Sequence, residues 1–214
     1  MTRSCGARLQ VRRLSKAFSG RSVLNEVSFH ADPGEVVALL GSNGAGKTTL
    51  LRCIVGAEDL DEGTVTLDGE PMRDTDPGIR RRVAAVLDDM AYFTDVTVWE
   101  HLDLLARAHG NDTDEDIVDD ALAALALTHV GDQVPDTLSS GQRRRLGLAT
   151  TLVRPFDLLF LDEPEQRLDE AGRAWLATYL RGLADSGRTV VMASHDPELV
   201  RSTGARVVHL EEIA

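Results

Sequence analysis

At 214 residues, with 43% hydrophobic side chains, the chain has the length of about one domain and enough apolar material for a core, which excludes wholesale disorder. Lys plus Arg total 23 and Asp plus Glu total 35, so the net charge is −12. Such a surface repels nucleic-acid phosphate and anionic lipid, and no nucleic-acid partner is expected.

Alternating apolar residues over 8–14 and 23–29 predict two strands of a half-buried antiparallel layer, with Ser19-Gly20 as the turn between them. After the Asp32-Pro33-Gly34 turn, residues 35–40 (EVVALL) predict a strand buried on both faces, followed by a glycine-rich loop and a helix to about Val55. Residues 63–67 (GTVTL), closed by the Asp68-Gly69 turn, and 83–87 (VAAVL) predict two more strands. From 88 to 151 the pattern turns helical, with helices over 97–109 and 113–127; the acidic run NDTDEDIVDD starts the second, favourably for its dipole. Strands return at 157–161 and 189–193 around a helix over 170–186, and a short helix (197–202) and strand (205–210) end the pattern. Alternating strands and helices argue an α/β fold with a mixed, mainly parallel sheet, an antiparallel β layer at the N-terminus and an inserted α-helical subdomain.

The longest uninterrupted apolar run, 121–127 (ALAALAL), falls far short of the roughly 18 residues a membrane span needs. MTRSCGARLQ lacks the apolar core of a signal peptide. Cys5 and Cys53 make neither a disulfide framework nor a metal quartet, and Cys53 is expected as a buried small hydrophobe. A cytoplasmic location is expected, with any membrane role supplied through a partner.

Gly41, Ser42, Asn43, Gly44, Ala45, Gly46, Lys47 and Thr48 fit G-x-x-x-x-G-K-[ST], between a buried strand and a helix as that pattern requires. Glycines let the backbone N–H groups wrap a polyphosphate, and the helix N-terminus adds its positive end. Lys47 would meet the β- and γ-phosphates and the Thr48 hydroxyl would ligate Mg²⁺. Thr49 either reaches a phosphate too or only supports the helix. A second apolar strand ends in Asp162-Glu163, at the edge where α/β sheets bind ligands. Alone, that pair could cap a turn into Pro164. On the same sheet as the glycine loop, Asp162 would hold Mg²⁺ through water and Glu163 would polarise the attacking water. His195 follows a third buried strand at that edge, where an imidazole could contact the γ-phosphate. His30, His101, His109, His129 and His209 read as structural or capping residues.

Residues 138–149 (LSSGQRRRLGLA) offer a second helix start suited to an anion. Ser139 or Ser140 can cap it, and Gly141 permits close approach. The chain's own loop already encloses one nucleotide, so this start suits a phosphate held by another chain; on its own it would read as an ordinary capped helix with a solvated arginine turn.

Taken in order, residues 41–49, 138–142 and 158–163 with His195 resemble the nucleotide-binding subunits of ATP-binding cassette (ABC) transporters over essentially the whole chain. The resemblance implies a P-loop core of residues 1–87 and 152–214, a helical subdomain of 88–151, and two subunits stacked head to tail around two ATPs. Ser139, Ser140, Gly141 and Gln142 of each subunit would then cover the γ-phosphate held by the other. It also implies that Phe18 stacks on adenine, although the residues alone place Phe18 in the core just as readily. The chain would sit on the inner face of the cell membrane beside a transmembrane permease subunit and, as homodimer or heterodimer, hydrolyse ATP, with export the expected direction.

The chain departs from the family pattern at three places. Asp88 stands where a glutamine touching Mg²⁺ and the membrane partner is usual, and Ser140 replaces a glycine. Gln166 and Arg167 replace small residues before Leu168-Asp169, where they should crowd the dimer seam and imply slow hydrolysis or a complementary partner. Two other classes are an ABC ATPase of ribosomes or DNA, disfavoured by the charge, and an ATP sensor, disfavoured by the presence of both Asp162 and Glu163.

Overall fold

The computed structural model describes residues 6–87, 92–111 and 116–212. Strands β1 (Leu9–Phe18) and β2 (Arg21–Ala31) pair antiparallel and run longer than their alternation suggested. Leu9, Val11 and Leu14 are buried while Arg12 and Arg13 are exposed. Next come β3 (Val36–Leu40), α1 (Lys47–Val55), β4 (Glu62–Leu67) and the short β5 (Glu70–Pro71). The antiparallel sheet has the order β2-β1-β4-β5.

The helix α2 (Pro77–Arg82) and strand β5 lie beyond the sequence expectations, yet α2 carries a start signal. The Asp76 carboxylate accepts from the Gly78 N–H at 2.7 Å and Pro77 opens the first turn, where a missing N–H costs nothing. After β6 (Val83–Val86), α3 (Val98–Ala108) begins at a reciprocal cap: Thr97 Oγ1 accepts from the Glu100 N–H and Glu100 Oε2 from the Thr97 N–H. Helix α4 (Ile117–Ala124) stops three residues short of the expected end, before Ala126 turns to φ +53°. Asp119 and Asp120 sit in its first turn; residues 112–115 of the acidic run lie outside the described residues. The chain continues through α5 (Ser140–Ala149), β7 (Leu158–Asp162), α6 (Glu170–Asp185), β8 (Thr189–Ala193), α7 (Pro197–Thr203) and β9 (Arg206–His209).

The second sheet is parallel throughout, in the order β6-β7-β8-β3-β9. Both of its faces are covered, which is why its strands read as continuous apolar runs. Successive side chains point to opposite faces and divide the core in two. Val36, Ala38, Leu159, Leu161, Val190 and Met192 join one cluster with side chains of α3 to α6. Val37, Leu39, Leu158, Phe160 and Val191 join the other with α1 and the antiparallel sheet. The helical stretch from Val98 to Leu138 therefore shares one continuous core with the sheet.

Cys53 is 4% exposed on the inner side of α1, and burial pushes its thiol up to about 11, so it behaves as the expected small hydrophobe. His101 is also buried, with its ring 5.5 Å from Tyr92 and 5.3 Å from Phe93. Its Nδ1 accepts from the Phe93 N–H at 3.4 Å, while Nε2 is buried without a hydrogen-bond partner among the described residues. Burial holds its pKa below the usual histidine value, and His109 shifts the same way through burial and then Arg154 and Arg81. The unfolded chain thus binds more protons below about pH 6.5, and folded stability must fall as pH drops through that value. Thermal melts between pH 7.5 and 5.5 should show this decline, and H101F should flatten it; an unchanged slope would remove His101 as a cause.

Candidate active site

Parallel pairing brings together three loops that are far apart in sequence. Ala193 of β8 lies opposite Asp162 of β7 on one side and Leu39 of β3 on the other. The loops leaving these three adjacent strands carry the glycine loop, Glu163 and His195, at the edge where a parallel sheet gathers ligands.

Gly46 sits at φ +85°, and a Cβ there would stand 2.7 Å from Leu24 Cδ2 and 3.0 Å from the Val23 carbonyl oxygen, so only glycine fits. Lys47, 6% exposed, folds back over its own loop, its Nζ donating to the carbonyls of Gly41 and Ser42 at 2.9 Å each. Ala45 is buried, Thr48 is exposed and Thr49 is half-buried. A cleft of about 230 Å³ opens between Asn43, Gly44, Lys47, Thr48, Thr49 and Glu163. The Ser42 hydroxyl donates to Glu212 Oε2 at 2.9 Å.

Glu163 joins the cleft through an unusual backbone. Its φ is +46°, a conformation that costs a side-chain-bearing residue roughly 1–2 kcal/mol. Its N–H donates to the Ala193 carbonyl at 2.8 Å, and its Oε1 stands 2.9 Å from His195 Nε2. Asp162, 2% exposed, is the last residue of β7. The Thr48 hydroxyl and the Asp162 carboxylate are hard oxygen donors of the kind Mg²⁺ takes, beside a loop whose N–H groups and ammonium suit phosphate. Asp88 lies outside the described residues.

Ser139 caps α5 reciprocally, its Oγ accepting from the Gln142 N–H at 3.2 Å and Gln142 Oε1 accepting from the Ser139 N–H at 2.8 Å. Ser139 and Ser140 are exposed, so the helix tip faces outward; Gly141 and Gln142 are half-buried. At Gly141 the close approach is internal, since a Cβ would meet the Arg167 carbonyl oxygen at 3.0 Å. Nor do the arginines form a solvated turn. Arg144 is 8% exposed and its Nη2 donates to the carbonyls of Asp162 and Glu163 at 2.8 and 2.7 Å. Arg145 donates to the Leu125 carbonyl and, at 2.6 Å, to Asp169. Arg144 escapes sequence reasoning because its partners are main-chain carbonyls about twenty residues away.

Phe18 ends β1 44% exposed, outside the core, with the Lys16 ammonium 5.0 Å from its ring centroid. Gln166 and Arg167 are exposed as well. Among the described residues, no helix is long and apolar enough to cross a membrane.

Comparison with known proteins agrees with this geometry. The ABC transporter family model matches residues 24–166. The SkfA peptide export ATP-binding protein SkfE of Bacillus subtilis is 34% identical over 206 residues, covering 95% of this chain and 85% of that protein. A sulfate/thiosulfate import ATP-binding protein of Cucumis sativus is 39% identical over 207 residues, and the Nod factor export ATP-binding protein I of Burkholderia thailandensis is 36% identical over 208. These cover 94% and 96% of this chain; it spans 59% of the import protein's length and 68% of the Nod factor protein's. A solved structure described as the ATP binding subunit of an ABC transporter superposes with a TM-score of 0.85 at 27% identity, covering 96% of this chain and 88% of that one. With the motifs, the sheet order and the relatives in agreement, the chain belongs to the ABC transporter family, among its ATP-binding subunits.

Proposed function

We propose that this chain binds ATP with Mg²⁺, pairs head to tail with a second ATP-binding subunit, and uses hydrolysis to drive a separate transmembrane permease subunit. The observation that carries the reading is the division of labour between two surfaces. Lys47, Thr48 and Glu163 line one cleft, whereas the α5 tip at Ser139 and Ser140 faces outward. A lid facing away from its own cleft is suited to a neighbour's nucleotide. Lys47 would neutralise the β- and γ-phosphates, and Thr48 and Asp162 would hold Mg²⁺, with Asp88 a further candidate. Bound Mg²⁺ would supply charge neutralisation at the transferred phosphoryl group. Glu163, paired with His195, would accept the proton of the attacking water, and His195 would contact the γ-phosphate.

The core of residues 1–87 and 152–214 would carry the nucleotide. The helical part, 88–151, would carry the lid and, around 88–95, the permease contact. Phe93, 52% exposed within that stretch, would supply an apolar side chain for such a partner. The location that follows is the inner face of the cell membrane. Export is the proposed direction, the one named for the SkfE and Nod factor relatives, whereas the sulfate/thiosulfate relative is named as an import protein. Gln166 and Arg167, both exposed, would crowd a seam between identical copies and slow turnover in a homodimer.

The test is ATP binding by calorimetry. K47A should weaken ATP binding by about 10–100-fold, the worth of charge-assisted hydrogen bonds to phosphate. ATP binding of equal strength in K47A would refute the assignment of the glycine loop.

A further inference from the structure

Glu165 lies two residues beyond Glu163, and its side chain turns inward. The residue is 9% exposed, and one carboxyl oxygen, Oε2, is buried without a hydrogen-bond partner among the described residues. The other, Oε1, accepts two hydrogen bonds from the loop after β8: the Ser194 hydroxyl at 2.7 Å and the His195 N–H at 3.0 Å. Ser194 Oγ in turn accepts from the Asp196 N–H at 3.0 Å, and the Asp196 carboxylate caps α7 through the Glu198 and Leu199 N–H groups. His195 is thus held at both ends. Glu165 takes its main chain, and Glu163 meets its ring.

A buried carboxyl group with one unmatched oxygen is a costly way to fill that space. An apolar side chain of similar size would avoid the desolvation but would leave the Ser194 hydroxyl and the His195 N–H without their acceptor. The hydrogen bonds it makes are aimed at the one loop whose histidine reaches Glu163. We propose that Glu165 is a positioning residue: it fixes the main chain at His195 so that the imidazole meets Glu163 at the cleft. The inference rests on the reading of Glu163 and His195 given above, and it assigns Glu165 no contact with the nucleotide.

Two substitutions separate positioning from mere filling. E165Q keeps a carbonyl oxygen where Oε1 stands, whereas E165L keeps bulk and removes the acceptor. In the full chain, E165L should lower kcat for ATP by about 10–100-fold with KM within about twofold, because displacing an aligned group costs rate while the Lys47 loop is untouched. E165Q should stay within about threefold of the parent in kcat, the acceptor being retained. Amide hydrogen exchange gives a readout independent of turnover. The His195 N–H should be protected in the parent and in E165Q, and should exchange at least about tenfold faster in E165L. Should E165L fail to fold, S194A removes one of the two donors and should shift the His195 exchange in the same direction. Parental kcat and exchange in E165L, or equal losses in E165L and E165Q, would overturn the inference. A parent that protects the His195 amide yet hydrolyses no ATP would instead overturn the reading of Glu163 and His195.

Discussion

E163Q is expected to lower ATP turnover by about 10²–10⁴-fold while leaving ATP binding intact, the range a positioned proton acceptor contributes. The amide is nearly isosteric and can still meet His195 Nε2, which lies 2.9 Å from Oε1 in the parent. What it loses is the capacity to take a proton from water. Lys47 and Thr48 sit on another loop and keep their geometry, so the defect belongs to the chemical step. With hydrolysis blocked, ATP and Mg²⁺ should also hold the subunits together. Light scattering should then show a dimer for E163Q and predominantly monomer for the parent. Parental turnover in E163Q would move the catalytic role to another group.

R144M should cost both stability and rate. Arg144 reaches from α5 to the carbonyls of Asp162 and Glu163, and at 8% exposure its hydrogen bonds are not replaced by water. Methionine keeps much of the apolar stem and removes the donors. Loss of such bonds destabilises by about 2–3 kcal/mol, or a fall in Tm of roughly 4–12 °C for a domain of this size. Glu163 sits at φ +46°, a conformation that persists only where its surroundings hold it. Without the guanidinium that residue can relax, and kcat should drop roughly 10²-fold. R144K retains a cationic donor and should recover part of both losses. A parental melting curve and parental turnover in R144M would show that the strand end is held by other contacts.

The sequence displayed the parts of the site that obey local rules. The glycine loop has its pattern, its preceding strand and its following helix; Ser139 has the cap spacing to Gln142, and β3, β7 and β8 have the unbroken apolar runs of strands covered on both faces. What stayed hidden was set by contacts between distant residues. The three arginines of α5 look solvated in a linear reading because arginine usually is, and only the fold shows Arg144 under the strand end. Glu165 reads as one more acidic residue until β8 places Ser194 and His195 beside it. Gly141 makes room for the Arg167 carbonyl, a neighbour 26 positions along the chain. Helix α2 is a different case, since Asp76-Pro77 advertised its start but the six-residue segment is too short to show a periodic apolar face.

The order β6-β7-β8-β3-β9 has a consequence for how the protein is made. The strand in the middle, β8, spans residues 189–193 and follows both of its neighbours, β3 and β7, in the chain. Until it is made, β3 and β7 cannot be bridged, and the N–H and C=O groups of their facing edges stay unpaired. Closing the sheet therefore waits on a pairing between distant segments, which is slow to form and leaves strand edges open to aggregation meanwhile.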